Sequence, residues 1–435
     1  MDIAKSARKA ANKLKALSND KRTSALKAMH DKLRDAKDEI LAANRADMAA
    51  AEKAELSQSL IKRLDLTRGD KFDAMLQGIL DVAALEDPVG RCTMATQLDE
   101  GLELRRYTCP IGVLLVIFEA RPEVIANIGS LAIKSGNAAI LKGGKESAQT
   151  FAVMARVVQE ALAKTPVPAN ALQLINTREK VSELLHCDKY IDMVIPRGSL
   201  ELVRNIKRNT TIPVLGHADG ICAAFVDRKA DPEMAAKIIV DSKTNYPAAC
   251  NAIETVLVHQ EALESCLETI GAALIDSGVT IKLHPDLYER FQSYVADEPK
   301  IQVAQPADFD TEFLGLTVAV KAVSSLESAV DHINEHGSHH TDIIITSDEQ
   351  RALRFQRSVD SAGVYWNASS RFADGLRYGF GTEVGISTNK LHARGPVGLE
   401  GLMIYQYLIH GNGQVVGDYV GGGGSKEFTH KQLPL

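Results

Sequence analysis

Six cysteines are scattered through 435 residues with no C-x-x-C pair, which argues against a zinc ribbon or a disulfide framework. Thiols so placed suit a reducing cytoplasm, the compartment expected for the chain. No apolar run is long enough to span a bilayer, and the longest, Ile111–Phe118, suits a buried strand. The opening Met1-Asp-Ile-Ala-Lys5 lacks the apolar core of a secretion signal. Glycosylation-pattern matches at Asn209 and Asn367 are therefore read as chance. Positive charge is not in excess: the formal net charge is -6, which argues against nucleic acid as a partner. His332, His336, His339 and His340 are crowded but do not follow H-E-x-x-H spacing, so no metal is expected. There are no tandem repeats, and no strand leads into G-x-G-x-x-G.

What is present describes a globular protein of two or three domains. Residues 1–85 show helical spacing: Ile3, Ala7, Ala10, Leu14 and Leu17, then, after cap candidates Ser18-Asn-Asp20, a second helix carrying Leu26, Met29, Leu33, Ile40 and Leu41. The interspersed charges there mark solvated faces. Residues 96–107 form a hairpin about Glu100-Gly101. From Pro110 to about 228, apolar runs alternate with helical stretches. The runs are Ile111–Phe118, Ala138–Lys142, Leu172–Ile175, Met193–Ile195, Pro213–Leu215 and Cys222–Val226. That alternation predicts a parallel sheet covered by helices, with ligands at the carboxyl ends of its strands. A second α/β segment follows, with a helix at 261–277 and strands near Val318 and 343–346. A glycine-rich loop spans 378–398, and a last strand spans 403–410.

Cys250 stands in Asn245-Tyr-Pro-Ala-Ala-Cys-Asn-Ala-Ile-Glu254, between a helix end and the apolar run Thr255–His259. A thiol at such a junction can face a cleft and act as a nucleophile, or be simply buried. Two strand-to-helix turns offer backbone N–H groups to a dinucleotide phosphate: Lys142-Gly-Gly-Lys145 and Arg197-Gly198-Ser199. Arg121, at the end of a strand, is suited to clamp a carboxylate or phosphate, or to pair with Glu119 or Glu123. Glu312 precedes the strand at 316–320.

Together these stretches resemble the gamma-glutamyl phosphate reductases, a branch of the aldehyde dehydrogenase superfamily. The most specific match runs from Val323 through Ala329-Val330, His332-Ile333, His336-Gly337-Ser338 and His340-Thr341-Asp342 to Ile344. The stretches around Cys250 and Arg121 and the residues 367–398 are similar to family segments too. The resemblance implies an α/β, aldehyde dehydrogenase-like fold: two α/β domains with parallel-type sheets plus a β-hairpin oligomerisation element. The expected domains are 1–228 for cofactor, interrupted by the 96–108 hairpin, 229–402 for catalysis, and 403–435 as an oligomerisation strand and tail. It also implies NADPH-dependent reduction of L-glutamyl 5-phosphate to glutamate 5-semialdehyde in proline biosynthesis, through a thioester on Cys250.

The resemblance also assigns residues. Val214-Leu-Gly-His217 replaces the Glu-Leu-Gly-Gly segment of the hydrolytic enzymes, so valine stands where their water-activating base would be. Ala120-Arg121-Pro122 replaces their asparagine segment, leaving Asn251 and Arg121 as oxyanion donors. Lys145 replaces the glutamate that meets the ribose 2′-hydroxyl of NAD, which favours NADPH. Lys142, Gly198 and Ser199 complete the cofactor set, and Glu312 would hold the nicotinamide ribose. Arg121, Asn367, Arg371 and Arg377 are candidates for the substrate's anionic groups, and Asp374 or Glu383 for its ammonium. The partners expected are a second copy or a tetramer, and a glutamate kinase. The rival readings are an aldehyde dehydrogenase that acylates coenzyme A and an idle scaffold of the same fold.

Overall fold

The computed structural model describes residues 1–56, 58–175, 178–198, 200–216, 219–295 and 299–435. The chain divides into two compact units. Unit 1 is Met1–Leu215 with Phe380–Gly385 and Val397–Leu435; unit 2 is Gly216–Gly379 with Ile386–Pro396. The strand Cys222–Val226, expected to close the first sheet, belongs to unit 2, so the division precedes 228. Among the described residues no helix is long and apolar enough to cross a membrane.

Unit 1 opens with α1 (Asp2–Leu14), α2 (Asn19–Asp35), α3 (Lys37–Lys53), α4 (Gln58–Leu64) and α5 (Lys71–Ala84). Helix α1 buries Ala4, Ala7, Ala10, Ala11 and Leu14, one face at helical spacing. The single second helix expected through Leu41 is broken at Ala36, whose ψ of 11° leaves the helical range and puts Ile40 on α3. Strands β1 (Cys92–Asp99) and β2 (Leu102–Pro110) form the hairpin, turning at Gly101 with φ +68°. Strand β3 (Val113–Phe118) is buried throughout, as a central parallel strand must be. It lies in the sheet order β5 (Leu172–Ile175), β4 (Ala138–Lys142), β3, β6 (Met193–Arg197), all parallel. Helices α6 (Val124–Lys134), α7 (Ala148–Leu162), α8 (Arg178–Leu184) and α9 (Leu200–Arg208) complete this region. Pro213–Leu215 makes only a bridge, Val194 to Val214, rather than a strand. The strand order reverses between β3 and β6, creating a crevice at their carboxyl ends.

Unit 2 holds a seven-stranded sheet in which every pairing is parallel. Its strands are β7 (Cys222–Val226), β8 (Ile253–His259), β9 (Thr280–Leu283), β10 (Ile301–Val303), β11 (Thr317–Val323), β12 (Thr341–Ile345) and β13 (Gly363–Trp366). The spatial order is β10-β9-β11-β8-β7-β12-β13. Alternate residues of one strand serve opposite faces: Val256 and Val258 pack with Ile239 and Leu274, whereas Leu257 packs with Phe225 and Phe355. Helices α10 (Pro232–Thr244), α11 (Glu268–Asp276), α12 (Pro285–Val295), α13 (Leu326–His336) and α14 (Glu349–Ser358) accompany the strands. The helix expected over 261–277 begins as a π-turn at Leu263–Leu267 before becoming α11. The expected loop at 378–398 contains two short paired strands, β14 (Gly385–Ser387) and β15 (Gly395–Val397). In unit 1, β16 (Met403–His410) runs antiparallel to β2, and β17 (Lys431–Gln432) pairs with β1. The hairpin and the C-terminal strand therefore share one four-stranded sheet.

Candidate active site

Cys250 occupies the turn between α10 and β8, half-buried, as its sequence position predicts. Asp231 caps the start of α10 by accepting the N–H of Met234, with Pro232 in the first turn. At the other end of the turn, Ile253 pairs with Cys222 of β7. Two residues before β7, Gly220 lies against the Cys250 backbone. A Cβ there would fall 2.7 Å from the carbonyl carbon of Cys250 and closer still to its Cα and carbonyl oxygen. Cys222, fully buried, donates its S–H to the Cys250 carbonyl at 3.3 Å. Burial pushes its thiol pKa well up, so it stays protonated.

His340, just before β12 and 1% exposed, reaches the same thiol. Its Nε2 is 3.2 Å from Cys250 Sγ and its Nδ1 is 2.9 Å from Thr341 Oγ1. The sequence placed His340 in a histidine cluster and in the stretch most similar to the family, with no role assigned to it. The signal available was its place, a polar residue opening the apolar run Ile343–Ile345, much as Cys250 precedes Ile253. Gly220, Cys250, Glu312 and His340 thus precede β7, β8, β11 and β12, at the amino edge of the sheet. The general expectation for ligand sites is the carboxyl edge.

Glu312 is half-buried and accepts the N–H of Gly220; burial and then Asp219 raise its pKa, opposed by that bond and by Lys243. Beneath it lies a buried ion pair, Lys243 with Glu254. Burial raises the Glu254 carboxyl to about 7 and lowers Lys243, each shift opposed by its partner. Arg371 is buried and donates Nε to the Asn245 carbonyl at 2.5 Å, which ties it to the Cys250 turn. Burial, then the charge of Arg377, lower its pKa, while Cys250, Asp374 and Asp241 favour its charged form.

Other nominated residues are held by the fold. Asn251 donates Nδ2 to the Ala373 carbonyl at 2.9 Å. Asn367, at φ +52°, accepts the Thr346 N–H and donates to the Thr346 carbonyl, each at 2.9 Å. Arg377 donates to the Arg371 carbonyl, and Asp374 accepts the N–H groups of Leu376 and Arg377. Arg121 and Glu383 belong to unit 1, Arg121 just beyond β3. Ser199 and His217 lie outside the described residues.

Unit 1 has a cavity of about 510 Å³ at the carboxyl ends of β3 and β4, lined by Phe118, Glu119, Lys142, Val181, Leu202 and Ile206 among others. The volume is in the range of ligand sites. Gly143 and Gly144 follow β4, where a Cβ on Gly143 would meet the Phe151 ring at 3.2 Å and one on Gly144 would collide with the Glu146 carboxylate. A Cβ on Gly198 would meet Glu119 at 2.5 Å. Only glycine fits at these positions, because the backbone lies tightly against the Phe151 ring and the Glu146 and Glu119 carboxylates, at strand-to-helix turns of the kind that hold a dinucleotide phosphate. Lys142 lines the cavity, and Lys145 is exposed beside it in the chain.

A model of the aldehyde dehydrogenase family matches residues 1–286. Gamma-glutamyl phosphate reductase of Saccharomyces cerevisiae is 54% identical over 100% of this chain and 98% of its own length. The chain belongs to the gamma-glutamyl phosphate reductases of the aldehyde dehydrogenase family. A probable gamma-glutamyl phosphate reductase of Schizosaccharomyces pombe is 55% identical, over 99% of this chain and 96% of its own. The crystal structure of the Thermotoga maritima gamma-glutamyl phosphate reductase superposes with a TM-score of 0.90 at 35% identity, covering 95% of this chain and 99% of that one. Membership in this reductase family implies a nicotinamide cofactor, and the unit 1 cavity fits that requirement.

Proposed function

We propose that the chain reduces L-glutamyl 5-phosphate to L-glutamate 5-semialdehyde with NADPH, releasing phosphate, as a step of proline biosynthesis in the cytoplasm. The observation that carries this reading is the half-exposed Cys250, held by a turn whose backbone Gly220 and Arg371 fix, in a chain related along its length to reductases of this name. The Cys250 thiolate attacks the acyl carbon and expels phosphate, leaving a thioester on Sγ. NADPH, when bound, supplies the hydride that reduces this thioester. The hemithioacetal on Cys250 then collapses and releases the aldehyde. In this reading backbone N–H groups of the Cys250 turn stabilise the oxyanions, with Asn251 and Arg121 as side-chain candidates. Val214 supplies no base to activate water, which protects the thioester from hydrolysis.

Lys142, Lys145, Gly198 and Ser199 hold the cofactor in this reading, with Lys145 answering the 2′-phosphate. Glu312 holds the nicotinamide ribose. Arg121, Asn367 and Arg371 are the residues assigned to the substrate's anionic groups. The catalytic domain is unit 2 and the cofactor domain unit 1. Ile404, Tyr405, Tyr407 and Ile409 leave β16 with an exposed apolar edge, and we assign that edge to a second copy of the chain. A separate glutamate kinase provides the labile substrate.

The test is the reverse reaction. Purified protein is mixed with glutamate semialdehyde, NADP⁺ and phosphate, with Cys250→Ala alongside. Phosphate-dependent NADPH formation lost in the variant supports the reading. Dependence on coenzyme A instead would identify an acyl-CoA enzyme, and no signal with either acceptor would leave a scaffold.

A further inference from the structure

The mechanism above needs two proton movements. The thiol must lose a proton, and the phosphate, leaving as a trianion, must gain one. His340 is placed for both. Its ring is buried, with Nε2 at 3.2 Å from Cys250 Sγ. Thr341 Oγ1 lies 2.9 Å from Nδ1; in the tautomer protonated at Nδ1 it accepts that N–H and leaves the Nε2 lone pair facing the thiol.

We propose that His340 is a catalytic proton carrier: Nε2 takes the Cys250 proton and then delivers it to the departing phosphate. Thr341 is its positioning residue. This rests on the acyl-phosphate reading above. In the first step the S–H bond breaks and an N–H bond forms, giving a thiolate beside an imidazolium. Sulfur then attacks the acyl carbon, and the C–O bond to phosphate breaks with its electron pair on the phosphate oxygen. The Nε2 proton moves to that oxygen, giving hydrogen phosphate and a neutral ring. After hydride addition, the hemithioacetal alkoxide re-forms C=O and the C–S pair returns to sulfur. Solvent supplies, through His340, the one proton the net reduction consumes.

The titratable neighbours of the pair come from several elements. Cys222 of β7 stays a thiol through burial. Arg371, beyond β13, favours the Cys250 thiolate by its charge. Asp342, on β12 and fully buried, has its carboxyl raised to about 7 by burial, against hydrogen bonds from Ser361 and the Ala223 N–H. His339 meets the Asp360 carbonyl through Nδ1 at 2.7 Å. Because Asp342 titrates in the range of interest, Asp342→Asn serves as the control.

The experiment reads Cys250 directly. The full-length protein is alkylated with iodoacetamide across pH 5.5–9.5 on the order of half-unit steps, spanning the free thiol pKa of about 8.5, and Cys250 labelling is followed by peptide mass spectrometry. In His340→Gln the inflection is expected to move up toward that free-thiol value, and the rate at neutral pH to fall about tenfold or more. Thr341→Val is expected to shift it in the same direction, and Thr341→Ser to restore the parent profile. The forward kcat of His340→Gln is expected to drop about 100-fold or more, with KM nearly unchanged. Circular dichroism melts check folding, and the Thr341 pair carries the test if His340→Gln unfolds. An alkylation profile in both His340→Gln and Thr341→Val equal to the parent's overturns the proposal. A shifted profile with parental kcat removes the phosphate-protonation half. Failure of the reductase assay in the parent protein, with the alkylation shifts intact, indicts the substrate reading and not the Cys250–His340 pair.

Discussion

Gly220→Ala should damage catalysis far more than its one added methyl suggests. The new Cβ would lie 2.7 Å from the Cys250 carbonyl carbon, with Cα and the carbonyl oxygen closer still. All are backbone atoms, so no rotamer change relieves the clash. Carbon atoms settle at about 3.5 Å or more, so one segment must give way by about 1 Å. A displacement of that size at a reacting atom costs about 100-fold in rate. Overpacking of this kind also costs about 1–3 kcal/mol of stability. The Gly220 N–H serves the Glu312 carboxylate, so the same shift disturbs the residue assigned to the nicotinamide ribose. The expected variant is folded, melts slightly lower, loses about 100-fold in kcat, and needs more NADP⁺ to saturate. The reverse assay with a thermal melt measures all of this. A Gly220→Ala protein with parental kcat and cofactor KM would refute the close approach on which the argument stands.

Asp342 makes stability fall as pH rises. Its folded-state carboxyl titrates at about 7, above the unfolded value of about 3.9. The folded chain therefore keeps a proton that the unfolded chain has lost between these values. Its contribution is fully present below the unfolded pKa and is lost as pH passes through the folded one, at up to about 1.4 kcal/mol per unit. Urea midpoints at several pH values should decline more steeply in the parent than in Asp342→Asn; parallel declines would contradict the assignment. Asn367→Ala removes two bonds to the Thr346 backbone and puts alanine at φ +52°, so about 2 kcal/mol of stability should be lost. If instead substrate KM rises with an unchanged melt, Asn367 serves the substrate. Lys145→Glu should lower the preference for NADPH over NADH by about tenfold or more, as for a lost charge-assisted bond. Equal ratios of kcat/KM before and after would move recognition of the 2′-phosphate elsewhere, with Lys142 in the cavity the next residue to change.

Strand positions were legible because each strand is a short apolar run between turn residues. Ala138–Lys142, Leu172–Ile175 and Cys222–Val226 are the observed strands to the residue. The hairpin turn at Glu100-Gly101 was legible because glycine supplies the positive φ found there. Which sheet a strand joins is not written in its own residues. Cys222–Val226 looks like a continuation of the first sheet, yet its partners are β8 and β12. The place of Cys250 was legible as a junction between helix and strand. Its histidine was not, because 90 residues separate the two and only the sheet order brings β12 and β8 to either side of β7. Asn251 and Asn367 show the converse. Position suggested chemistry, while the structure engages both amides with backbone partners that a sequence does not reveal.

Gly220, Cys250, Glu312 and His340 stand where strands of unit 2 begin, away from the rim where β11 ends. That rim should accept new covalent architecture. Ser324, exposed just after β11, is a place to insert a foreign domain or open new chain ends. A fluorescent domain inserted there should leave turnover near the parent level, whereas the same insertion at Gly315, before β11, should abolish it. Equal loss at both positions would mean that the two rims are mechanically coupled.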